Sequence, residues 1–193
     1  MNPILNAAKQ FIMLSLILTL ACGICYVAVQ QTLRQSANDP QIQMAEDTAA
    51  ALARGETQEA FGGSGKKIDM AQSLAPFLII FDDNGQPVVS TVQLNGQMSA
   101  PPAGVLAYAK AHEENRVTWQ PRPGVRNATI IVHYAGQKSG FVLAGRSLRE
   151  VEARISAIGR LIAAGWAVSL FVLLVVSLAF GLLNRLARPA QAR

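Results

Sequence analysis

Charge is missing from two long stretches at opposite ends of the chain, and this limits the fold more than any other feature. Phe11 to Val29 is 19 residues without a charge, and Leu161 to Leu183 (LIAAGWAVSLFVLLVVSLAFGLL) is 23. As helices these runs would measure ~28 Å and ~34 Å, against a hydrocarbon core of ~30 Å. A helix on the surface of a soluble domain keeps one polar stripe; these runs keep none. The sequence therefore predicts two transmembrane helices. Residues 1–30 would form an N-terminal tail and first span, 31–160 an exported domain, 161–183 a second span and 184–193 a short basic tail.

A cleaved signal peptide is the rival for the first run, because Lys9 precedes it. A lipoprotein signal would use Thr19-Leu20-Ala21-Cys22, where Thr19 departs from the usual Leu. Ile24, Tyr26, Val27 and Val29 carry the apolar run past that cleavage point, which favours a retained anchor. Lys9 at one end and Arg185, Arg188 and Arg193 at the other place both termini in the cytoplasm by the positive-inside rule. The central segment, with 13 basic and 12 acidic residues, is nearly neutral. It would face the periplasm or the cell exterior from the inner (plasma) membrane. The net charge of +5 thus comes mainly from the membrane flanks and gives no reason to expect nucleic acid.

The only cysteines, Cys22 and Cys25, lie inside the first apolar run, where they read as small fillers. The exported domain has no cysteine, so it must be stable without disulfides.

Within that domain, Asn38-Asp39-Pro40 opens an alanine-rich helix that stops at Gly55. Residues 61–67 read as a linker loop. Pro76–Asp82 and Pro87–Leu94 flank an Asp82-Asp-Asn-Gly85 turn and predict a hairpin. Pro101-Pro102 opens a helix from about Ala103 to Glu113. Strands are predicted at Arg116–Gln120, Asn127–Tyr134 and Phe141–Arg146, with a broad turn at Pro121–Arg126. From Leu148 a helix runs into the second apolar stretch. The expected fold is α+β: helix, two strands, helix, three strands, helix, in one compact domain.

With two apolar flanks, this order resembles the single-Cache (PAS-like) sensor regions of bacterial sensor histidine kinases and chemoreceptors. The segments that carry the resemblance are RQSANDPQIQMAEDTAAAL, FDDNGQPVVS and FVLAGRSLREVE. It implies a PAS/Cache-like antiparallel sheet with long helices leading in and out, flanked by the two spans. Such receptors continue into a cytoplasmic output domain, whereas this sequence stops at Arg193.

Several motifs reduce to local structure. Ala60–Lys67 departs from a phosphate-binding loop at both ends of the pattern and has no preceding strand. Asp82, Asp83 and Asn84 lack the downstream Glu of a calcium loop and suit a tight turn. His112 and His133 share no ligand spacing, and no nucleophile is selected near either, so neither an enzyme nor a metal or cofactor is expected.

The segment 116–126 is the most unusual. Arg116, Arg122 and Arg126 surround Trp119, a combination suited to a small anionic ligand, with guanidinium groups gripping a carboxylate and the indole forming a dry wall. His133, Tyr134 and Arg146 on neighbouring strands are further candidates for the same pocket. The competing expectation is a core tryptophan among surface arginines. On the exit helix Leu148, Val151, Ile155, Ile158 and Ile162 form a short heptad seam, suited either to packing within the chain or to a homodimer. The functional expectation is a membrane-anchored extracytoplasmic sensor that relays a signal through its second span to a separate signalling partner. The alternatives are a ligand-free membrane scaffold or assembly factor and a truncated sensor kinase.

Overall fold

The computed structural model describes residues 3–36, 39–62 and 67–186. The expected basic tail beyond 186, Asn38 of the predicted helix cap and most of the 61–67 loop lie outside these residues. The elements are α1 (Pro3–Ser36), α2 (Asp39–Ala53), a 3-10 turn (Gln58–Phe61), β1 (Ile68–Asp69), β2 (Phe77–Asp82), β3 (Pro87–Ser90), β4 (Val92–Gln93), α3 (Ala103–His112), β5 (Glu114–Arg122), β6 (Val125–Ala135), β7 (Ser139–Ser147) and α4 (Arg149–Leu186). The fold is α+β. Two compact units form: Leu33–Ala153, and α1 up to Thr32 with α4 from Arg154.

In the first unit five antiparallel strands lie in the order β3-β2-β7-β6-β5. FLIIF of β2 is buried at every position because the sheet is covered on both faces. Phe77, Ile79 and Phe81 join Leu106, Ala109, Trp119, Ile131, Phe141 and Leu143 on the α3 face. Leu78 and Ile80 join Ala45, Ala49, Leu52, Ile130, Tyr134 and Val142 on the α2 face. The period of two along each strand sorts the residues between these layers. Alanines on α2 let that helix lie close on β6 and β7, and α3 lies on β5 and β6.

The predicted Pro87–Leu94 strand is broken in two. Thr91 donates its backbone N–H to the Leu78 carbonyl (3.0 Å), while its hydroxyl accepts from the Leu78 N–H (2.9 Å). The Ser90 hydroxyl donates to the Val92 carbonyl at 2.6 Å. These bonds turn the chain out of the main sheet, so Val92–Gln93 pairs in parallel with Ile68–Asp69, a strand the sequence did not announce. The broad turn expected at 121–126 is also narrower. Arg122 pairs with Val125, and Pro123-Gly124 alone reverses the chain, with Gly124 at φ +80° as the third position of a type II turn requires. The Asp82–Gly85 turn is locally determined: Asp82 Oδ1 accepts from the N–H groups of Asn84 (3.0 Å) and Gln86 (2.7 Å).

The second unit is a pair of apolar helices, each long and apolar enough to cross a membrane. Its large apolar side chains point outward: Leu161 is 72% exposed and Phe171 66%. Between the helices, Trp166 Nε1 donates to Thr19 Oγ1 at 3.0 Å, and Gly159 accommodates the Tyr26 ring, which would lie 3.1 Å from an added Cβ.

Candidate functional site

The seven residues nominated from sequence divide between the two faces of the sheet. Trp119 lies in the α3 layer, 6% exposed. The His133 ring meets Phe141 of the same layer at a tilt of 55°, centroids 5.2 Å apart, and Arg122, opposite Val125, donates to Asn95 Oδ1 at 3.1 Å. Tyr134 lies in the α2 layer, where its hydroxyl accepts from Gln58 Nε2 at 2.7 Å. Arg116 is opposite Ile130, and Arg126 and Arg146 fall on the same α2 face by strand alternation. The sheet thus separates Trp119, Arg122 and His133 from Arg116, Arg126, Tyr134 and Arg146.

The arginines are also engaged. Arg116 pairs with Glu114 (3.0 Å), Arg146 with Glu150 (3.5 Å) and Arg126 with Glu152. All are substantially solvated, so their energetic value is small. The geometric value of the Arg146 and Arg126 pairs lies at the start of α4, because Glu150 and Glu152 stand in its first turn, favourable to the helix dipole. Arg149, also in that turn, donates to the carbonyls of Ala71 (3.3 Å) and Gln72 (2.6 Å), and Arg146 Nε to that of Leu74 (3.3 Å). Residues 71–74 are therefore tied to the last strand and the first turn of α4.

A residue not nominated from sequence stands out on the α3 face. Asn127 is 0% exposed, and neither its amide oxygen nor its amide nitrogen has a hydrogen-bond partner among the described residues. Burying such a group without a partner costs roughly 1–3 kcal/mol. It is directly opposite Trp119 on β5 and Ser147 on β7. Nearby, Thr129 satisfies its hydroxyl on the Val117 carbonyl (2.9 Å), and Gly145 leaves space that the Phe77 ring fills, 2.4 Å from where a Cβ would stand. The surroundings are thus an indole, a phenyl ring and one amide offering a donor and an acceptor side by side. A donor and an acceptor thus stand unpartnered among the described residues in a largely apolar setting.

Asn127 is also next to the start of α4. The Arg126 carbonyl accepts from the Leu148 N–H (2.9 Å), and the Ser147 hydroxyl, opposite Asn127, accepts from the Arg149 N–H (3.3 Å) just ahead of the helix. Gln41 on α2 is a second buried amide without a partner among the described residues, 2% exposed. His133 lies six residues along β6 from Asn127, ~20 Å away, too far to share one small-molecule site.

At that far end Asp83 accepts from Lys110 Nζ at 2.8 Å, and His133 Nε2 stands 3.9 Å from the same carboxylate. The Lys110 hydrogen bond holds the Asp83 carboxyl below its ordinary value. Among the described residues no three His, Cys, Asp or Glu side chains gather as a metal site. The signal that could have found Asn127 was present: the alternation that puts Ile131 inward puts Asn127 inward too. No protein-family model matches this chain, and no curated protein does either.

Proposed function

We propose that this protein is a membrane-anchored extracytoplasmic sensor of the PAS/Cache type, in which a small ligand at the α3 face shifts the start of α4 and so signals across the membrane. On this reading α1 and α4 are the two spans, both termini are cytoplasmic, and a separate partner receives the signal. The observation that carries it is the continuity of α4: the helix begins two residues after the central strand β7 ends and stays helical through its apolar run to Leu186. A helix transmits displacement along its axis because each turn is hydrogen-bonded to the next.

Asn127, Ser147, Arg149 and the 71–74 segment supply the input. A ligand that satisfied the Asn127 amide would press on the strand pair whose last hydroxyl, that of Ser147, holds the Arg149 N–H. It would also press on the segment that Arg149 holds. The four nominated arginines are then part of the coupling and the domain surface rather than the ligand's grip, which moves the expected ligand from anionic toward neutral.

The test is a thermal-shift screen of the full chain in detergent against small polar metabolites, repeated with Asn127→Leu. A ligand that raises the wild-type melting temperature and leaves N127L unmoved supports the reading. If no small molecule stabilises the wild type while crosslinking in membranes captures a stable protein partner, the scaffold function replaces it.

A further inference from the structure

The helix pair carries a groove of about 580 Å3, lined by Thr19, Gly23, Tyr26, Gly159, Arg160 and Trp166 among others. On α4 the lining runs from Ser156 to Trp166. Ten helical steps make ~15 Å, half of the ~30 Å hydrocarbon core. A single lipid needs only one leaflet.

The charge points the same way. Arg160 immediately precedes the uncharged run, is exposed, and has no ion-pair partner among the described residues. Tyr26 supplies an amphipathic ring of the kind that favours the headgroup region. A second cavity of this unit, about 260 Å3 between Phe11 and Leu178, has no charged lining residue.

We propose that this groove seats one anionic phospholipid, its phosphate against the Arg160 guanidinium and its acyl chain along Gly23, Gly159 and Ala163 toward the Thr19–Trp166 hydrogen bond. This rests on the reading of α1 and α4 as membrane spans. Guanidinium presents a two-pronged donor to phosphate, and one such cation near the surface favours an anionic headgroup on the order of fivefold. A sensor whose exit helix holds a lipid at the membrane surface would respond to bilayer composition as well as to its ligand.

The experiment uses the full chain in nanodiscs of neutral lipid, with bromine-labelled phosphatidylglycerol or phosphatidylcholine as quencher of Trp166. A Trp166→Phe control identifies the part of the signal that belongs to that residue. Brominated phosphatidylglycerol is expected to quench at a roughly fivefold lower mole fraction. Arg160→Gln should erase that preference and Arg160→Lys should keep most of it. Ala163→Leu, which fills the groove, should weaken quenching with helix content unchanged by circular dichroism. Equal quenching by both headgroups, or an unchanged preference in R160Q, overturns the lipid site, as does disulfide crosslinking of two copies through Cys22 without headgroup preference. A chain released from membranes by alkaline carbonate overturns the membrane reading itself, whereas one that stays embedded without headgroup preference loses only the lipid.

Discussion

The sheet unit and the helix pair handle apolar surface in opposite ways. In the sheet unit Ile79, Ile131, Val142 and Leu143 are completely buried, and charges lie outside in solvated pairs. In the helix pair Leu161, Val168 and Phe171 are 63–72% exposed, and what the helices turn toward each other is small or polar: Gly159, Thr19, Trp166. Water would reject the second surface, since burying each large apolar side chain is worth roughly 1.5–3 kcal/mol. The difference teaches that the two units present opposite surfaces, and on the proposed membrane reading each surface suits its own solvent.

The sharpest break of that comparison is a pair of truncations. Ile131→Ala should cost the sheet unit about 2–5 kcal/mol by transfer and cavity terms, read from urea unfolding. Leu161→Ala should leave that transition unchanged. If the two effects were equal, the helix pair would share the water-excluding core. Next, Val172→Arg on the exposed apolar surface of α4 should oppose bilayer insertion by about 2.5–3.5 kcal/mol, seen as a shift from the carbonate-resistant to the soluble fraction. Undiminished insertion would count against a lipid environment.

A buried amide in the sheet unit should behave as a stored cost. Asn127→Leu is therefore expected to raise the stability of the unliganded protein by about 1–3 kcal/mol while removing any ligand-induced gain. Destabilisation would mean that the amide is satisfied within the fold. A smaller gain, about 1 kcal/mol, is expected from Glu113→Gly, because Glu113 closes α3 at φ +71°; denaturant midpoints would measure it.

The smallest effect concerns the exposed Asp83–Lys110 pair. Because Asp83 titrates below its ordinary value near 3.8, its contribution is complete above that pH and disappears as pH falls through the lower folded value. Lys110→Ala should flatten this acid limb, with stability near neutral pH little changed. An unaltered acid limb would show that the pair adds nothing.

The order of the helices and of the main strands was legible from residues alone, because apolar runs, Pro and Gly punctuation and the Asp82–Gly85 turn act within a few positions of themselves. The β3–β4 break was not. It depends on Thr91 meeting Leu78, 13 residues earlier and on another strand. Trp119 could be read as a wall or as core from its neighbours in sequence; its place in the α3 layer depends on register with β6. The grouping of seven candidates failed to form one site for a similar reason: strand partners, unlike sequence neighbours, decide which face a side chain shares.

What the sequence determined by itself is the two long apolar helices and an α+β domain between them, because hydropathy over twenty residues and local turn chemistry need no distant partner. What only the tertiary structure decided is which polar groups are left without one. Asn127 is an ordinary polar residue at the start of a strand until its register opposite Trp119 and Ser147 buries it, and Arg160 is an ordinary flanking charge until α1 makes the other wall of its groove. Burial and hydrogen-bond balance are properties of packed surroundings, and those surroundings are assembled from residues far apart in the chain.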